Sequence, residues 1–138
     1  MPQYRRLELS RIRAETAYKN AKTASEKNFK PEYKSLVLKS PTLVKNNGLL
    51  STIAFLFSKR KNESGKAHAL LYKQIAEWLK EMGIVELSDG SHNNFAKKLT
   101  ELPPAKVRFA TNETLVYLSW LKRFTEGLID KEDTDASN

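Results

Sequence analysis

Lys66-Ala67-His68-Ala69-Leu70-Leu71-Tyr72-Lys73-Gln74-Ile75-Ala76-Glu77-Trp78-Leu79-Lys80-Glu81-Met82 is the stretch that decides the fold. Ala67, Leu70, Leu71, Gln74, Ile75, Trp78, Leu79 and Met82 recur at i, i+3 and i+4, which predicts an amphipathic helix over 65–82. Gly83 supplies its stop. Lys73, Glu77, Lys80 and Glu81 fall on the other side, where they read as a solvated face of mutually paired charges. A helix with one apolar stripe needs other helices to cover it.

Those helices are legible on both sides. Residues 3–27 form a first one, with Leu7, Ala14, Ala17, Tyr18, Ala21 and Ala24 in one arc. Leu9 and Ile12 lie off that arc among charges and are candidate partner contacts. A second helix is expected over 31–39, opening on Pro31 and interrupted by Pro41, with Asn46-Asn47-Gly48 as a later stop. Leu49–Ser58 is apolar nearly all round, which predicts the central, most buried helix. Ser91 is expected to open a short helix that Pro103-Pro104 ends, with Val107–Ala110 as an extended link. Thr111 or Asn112 would then cap a last helix over 112–130, carrying Leu115, Tyr117, Leu118, Trp120, Leu121, Phe124 and Leu128 inward. Strand signals are nearly absent. The expectation is an all-α, single-domain bundle of five or six helices over 1–130, with a disordered acidic tail at 131–138.

Composition narrows the function. The 138 residues are 40% apolar and 29% charged, a globular balance, and Cys is absent, so disulfides, thiolate metal sites and cysteine nucleophiles are excluded. The N-terminus lacks the apolar run of a signal peptide, and no apolar run approaches the ~20 residues that span a bilayer. A cytoplasmic protein with no membrane role is expected. The formal charge is +8, and it is uneven. From Glu126 onward, five acids (Glu126, Asp130, Glu132, Asp133, Asp135) face one base (Lys131), so residues 1–125 carry +12. A basic body points to a polyanionic partner.

Catalytic chemistry finds no footing. His68 sits at the edge of an apolar face and reads as a core-rim residue; His92, between Ser91 and Asn93, reads as a helix start. Glu77 and Glu81, with no His expected nearby, do not make a metal site. No Gly-rich phosphate loop or nucleophile elbow occurs. No cofactor, metal or small-molecule substrate is expected. The basic clusters are the candidates: Lys59-Arg60-Lys61 with Lys66 after a buried helix, and Lys122-Arg123 on the polar face of the last one. Trp78, Trp120, Phe55, Phe57 and Phe124 all read as core residues, so contact through phosphates is expected and not base stacking.

Three segments carry a resemblance: Tyr33 to Leu56, Leu71 to Leu79, and Thr111 to Gly127. The most specific pieces are Pro41-Thr42-Leu43-Val44-Lys45-Asn46-Asn47-Gly48-Leu49 running into Thr52-Ile53-Ala54-Phe55-Leu56, and Trp120-Leu121-Lys122-Arg123-Phe124-Thr125-Glu126-Gly127. Over roughly 15–130 the chain resembles the small subunit of the Cmr-type (type III-B) CRISPR RNA-guided effector complexes. The resemblance implies a non-catalytic helical subunit of an antiviral complex. Its copies would stack head-to-tail along the RAMP-type backbone subunits that hold guide RNA, and line the channel where target RNA pairs. It also implies Lys45, Lys122 and Arg123 as the basic motif positions; Lys59, Arg60 and Lys66 join them on charge alone. Head-to-tail stacking needs two different surfaces, and Leu9 and Ile12 are assigned to one. The alternatives are a purely protein–protein scaffold and, behind it, a helical DNA-binding regulator.

Overall fold

A computed structural model describes residues 3–87 and 92–130. The expected tail at 131–138 and the expected helix start at Ser91 lie outside the described residues. Within them are six helices and no strand: α1 (Gln3–Ser25), α2 (Lys30–Asn47), α3 (Leu49–Lys59), α4 (Lys66–Glu81), α5 (Phe95–Thr100) and α6 (Pro104–Leu128), plus a 3₁₀ turn at Glu63–Gly65. The all-α bundle is as the pattern predicts.

The 65–82 stripe is α4, and it is the hub. Leu71, Ile75, Trp78 and Leu79 are essentially inaccessible, each burial stabilising by roughly 1.5–3 kcal/mol. Gly83 closes the helix as expected: its N–H donates to the Lys80 carbonyl and the Ile84 N–H reaches back to Leu79, both at 2.9 Å. The long α1 and α6 lie side by side, with Ala17, Ala21 and Ala24 of α1 buried against the bundle.

Three expectations are corrected. Pro41 does not break α2, which continues to Asn47. A proline cannot donate to the carbonyl four residues back, but Ser40 Oγ donates to that Val37 oxygen at 2.8 Å and takes the missing place. Val107–Ala110 is helical, because Pro104 opens α6 at a first-turn position where no N–H is needed. The Pro103 carbonyl accepts from Lys106 and Val107, and Thr111 sits mid-helix, its hydroxyl bonded back to the Val107 carbonyl. Finally, α3 is not the central helix. Only Leu49, Thr52, Ile53 and Leu56 are buried, while Leu50 and Phe55 are 39% and 36% exposed.

Polar contacts that no periodicity reveals fix how the helices meet. Arg13 grips Glu113 through two hydrogen bonds of 2.8 and 2.7 Å, and the Trp78 indole N–H donates to the same carboxylate at 3.1 Å. Tyr33 donates to Gln74, Gln74 donates to the Asn20 carbonyl, and Asn20 donates to Tyr117. Four helices are thereby linked by one chain of bonds. Lys34 is buried and donates to the Ile129 carbonyl at 2.8 Å, placing a cation at the negative end of α6.

Removing one member of a buried charge pair leaves the other uncompensated, at about 3–5 kcal/mol. Glu113→Ala is expected to destabilise the protein by that amount in urea unfolding. Replacing both partners, Arg13→Met with Glu113→Leu, should recover most of the loss. A Glu113→Ala effect below about 1 kcal/mol would show that the pair does not hold α1 to α6.

Candidate nucleic-acid interface

The six sequence-predicted cations fall into two groups on different elements. The first lies along α2 and α6. Lys34, at the start of α2, meets Ile129, just past the end of α6, and since the two helices also pack against each other they run antiparallel. Counting equally far along both, Lys45 comes level with Leu118, about one helical turn from Lys122. Lys45 and Arg123 are exposed and Lys122 is half-buried. No described carboxylate lies within ion-pair distance of any of the three. Arg123 borders a shallow hollow with Ser119 and Trp120, and Trp120 stacks on Phe124 with ring centroids 6.0 Å apart.

The second group sits at the α3–α4 corner. Gly65 makes that corner possible, since a Cβ there would stand 1.8 Å from the Lys59 carbonyl oxygen. Only a residue without a side chain lets the chain turn so tightly into Lys66. Lys59 is exposed, but Arg60 is committed elsewhere: its guanidinium lies 4.0 Å above the Phe57 ring. Lys66 lines a hollow with Glu32 and Glu63, whose carboxylates oppose a phosphate there. Of the three, Lys59 is the cation best placed for an anion.

Two residues not assigned from the sequence complete this side. Lys39 lines a groove between α2 and α3 together with Leu43, Asn47, Ser51, Thr52 and Phe55. Phe55, expected in the core, is exposed because α3 packs through its other face. The wheel of an all-apolar helix cannot show which face is free. His68 meets Phe55 edge-on, ring centroids 5.4 Å apart, and its Nδ1 is buried without a hydrogen-bond partner. Burial, reinforced by Lys39 and Lys59, pushes the His68 pKa below its ordinary value.

The assigned partner contacts sit differently from one another. Leu9 is half-buried, whereas Ile12 packs against the core and lines a cleft with Glu15, Glu77, Glu81 and Trp78. Two large apolar side chains are more exposed: Leu7, expected in the core, is 65% exposed, and Phe109 of α6 is 58% exposed. The expectation that no His stands near Glu77 is overturned, since His92 Nε2 lies 3.2 Å from its carboxylate. Even so, no cluster of three or more metal-ligating side chains occurs among the described residues. Nor is any described helix long and apolar enough to cross a membrane.

Comparison with known proteins places this framework. The family of CRISPR-associated proteins called Cas_Cmr5 matches residues 9–128. The chain belongs to the Cmr5 family. A curated relative, the CRISPR system Cmr subunit Cmr5 of Thermus thermophilus, is 29% identical over 122 residues, covering 88% of this chain and 96% of the relative. The crystal structure of a CRISPR-associated Cmr5 family protein from Thermus thermophilus superposes with a TM-score of 0.71 at 28% identity, over 88% of this chain and 97% of that one. The Cmr5 framework accounts for the helices, and both cation groups lie within the matched span.

His68 reports directly on the Lys39–Lys59 field. Its lowered pKa means that its contribution to stability is present above the unfolded value of about 6.5 and is lost as pH falls from there through the folded one. An NMR titration should place the His68 pKa under that unfolded value, and Lys39→Ala should move it upward. An identical titration in Lys39→Ala would remove Lys39 from this surface.

Proposed function

We propose that this protein is the small, non-catalytic subunit of a type III-B Cmr complex in antiviral defence, and that it touches guide or target RNA through phosphates. The family match supports the place in a Cmr complex. RNA contact rests on the absence of any described carboxylate within ion-pair distance of Lys45, Lys122 or Arg123, together with the helical count from Lys34–Ile129 that puts Lys45 about one turn from Lys122 along the packed α2 and α6. By contrast, the described charges of α1 are largely spent on one another: Arg11 pairs with Glu8 and Glu15, and Lys19 with Glu15. Neutralising phosphates needs fixed cations and no base-specific geometry, while pairing between guide and target supplies sequence specificity.

Partners in this reading are RAMP-type backbone subunits and further copies of the chain. A head-to-tail contact joins two unlike surfaces. The exposed Leu7 and Phe109 add apolar surface to the Leu9 and Ile12 assigned to it. The same two residues favour the second reading, a protein–protein scaffold whose cations meet acidic neighbours.

The triple variant Lys45→Glu, Lys122→Glu, Arg123→Glu should fold and enter the complex yet capture target RNA at least tenfold more weakly at moderate salt. Gel-shift titration of purified complexes measures this. Full capture by a complex containing the variant would favour the scaffold.

A further inference from the structure

The groove between α2 and α3 belongs to neither the buried core nor the Lys45–Lys122 flank. It has about 380 Å³ of open space, and its walls are Lys39, Leu43, Asn47, Ser51, Thr52 and Phe55. Lys39, Leu43 and Asn47 recur every four residues, so they form one ridge of α2. Across from it, Phe55 stands half-turned to solvent, steadied by the perpendicular ring of His68.

Three features of this groove point to one kind of occupant. It offers an exposed aromatic ring on a rigid helix. It offers one cation on its wall, Lys39, and a second just beyond it: Lys59 follows Phe55 by one turn of α3, and both lysines lie close enough to the His68 ring packed on Phe55 to act on its charge. It offers short polar side chains, Asn47 and Ser51, and no carboxylate in its lining. Buried protein segments match an apolar groove, but flanking cations with no acid among them match a polyanion. Stacking on an aromatic ring between phosphate-binding cations is how unpaired nucleotides are held without sequence preference.

We propose that this groove seats one unpaired nucleotide of single-stranded RNA, its base stacked on Phe55 and the adjoining phosphates held by Lys39 and Lys59. This rests on the reading of the protein as an RNA-contacting subunit. It adds a second contact zone of a different kind, in which a base is held as well as a backbone. His68 fixes the tilt of the Phe55 ring and is a positioning residue.

The test uses the assembled complex containing the full-length chain and a single-stranded RNA carrying 4-thiouridine. Irradiation and trypsin digestion should place an adduct on the peptide 46–59, at Phe55. Phe55→Ala and Phe55→Leu should each weaken RNA capture about tenfold, with Phe55→Trp restoring it. Lys39→Ala should lower the slope of log affinity against log salt by about one. Complexes with Phe55→Ala that capture RNA normally, while the Lys45, Lys122, Arg123 triple variant does not, would overturn the stacking seat and leave the RNA-contact reading standing. Full capture by both would overturn both. Failure of Phe55→Leu chains to enter the complex would make the groove a protein interface and also overturn the seat.

Discussion

The carboxylate of Glu113 is the point on which the arrangement of α1, α4 and α6 depends. It is 5% exposed, and Arg13 from α1 and Trp78 from α4 both donate to it. An ionised carboxylate at that depth demands partners, and these two supply them. The requirement is strict because α1 brings so little else to its inner face. Ala17, Ala21 and Ala24 let helices approach closely, but each buries only a methyl group, about 0.8 kcal/mol on the usual scale. A smooth alanine stripe does not choose a rotation or a register. The fork of Arg13 on Glu113 does, because a bidentate pair tolerates one geometry.

The same logic extends through the middle of the bundle. Gln74 sits at a position that α4 periodicity assigns to the core, and a lone buried amide there would be destabilising. It is satisfied by Tyr33 and by the Asn20 carbonyl, and Asn20 in turn reaches Tyr117. Burial raises the pKa of both phenols, which keeps them protonated and able to take part. Orientation in this protein comes from polar bonds laid over an apolar core, and the outer faces of α2, α3 and α6 inherit that rigidity.

Local patterns reveal the elements and conceal their relations. The i, i+3, i+4 spacing of 65–82 is sufficient for α4, and Gly83 for its end, since both depend on neighbours in sequence. Pro41 misleads because the repair, Ser40 on the Val37 carbonyl, is made by a side chain with a weak propensity of its own. Pro103-Pro104 misleads in the opposite way: one pair of prolines both separates α5 from α6 and starts α6. The Arg13–Glu113 pair cannot be read from the sequence, because nothing in either neighbourhood marks its partner. Of the proposed RNA contacts, Lys122 and Arg123 stand out as a charge cluster and Lys45 through motif resemblance alone, whereas Lys39 and Phe55 emerge only when α2 and α3 are set against each other.

If the subunit contacts RNA as proposed, the placement of these side chains on packed helices matters. Cations along one flank of α2 lie toward α6, and a cation with an aromatic ring lies toward α3 on the opposite flank. A strand of RNA is long, and a protein of this size cannot enclose it. It can only offer contacts at fixed separations, and their value lies in how little they move. Side chains on flexible loops would lose rotational entropy on each contact, whereas those on packed helices have already lost most of it. On that proposal the buried Glu113 junction and the Tyr33–Gln74–Asn20–Tyr117 chain support function from within, although none of these residues faces solvent in the way a binding group must. They set the angles at which α2 and α6 present their charges.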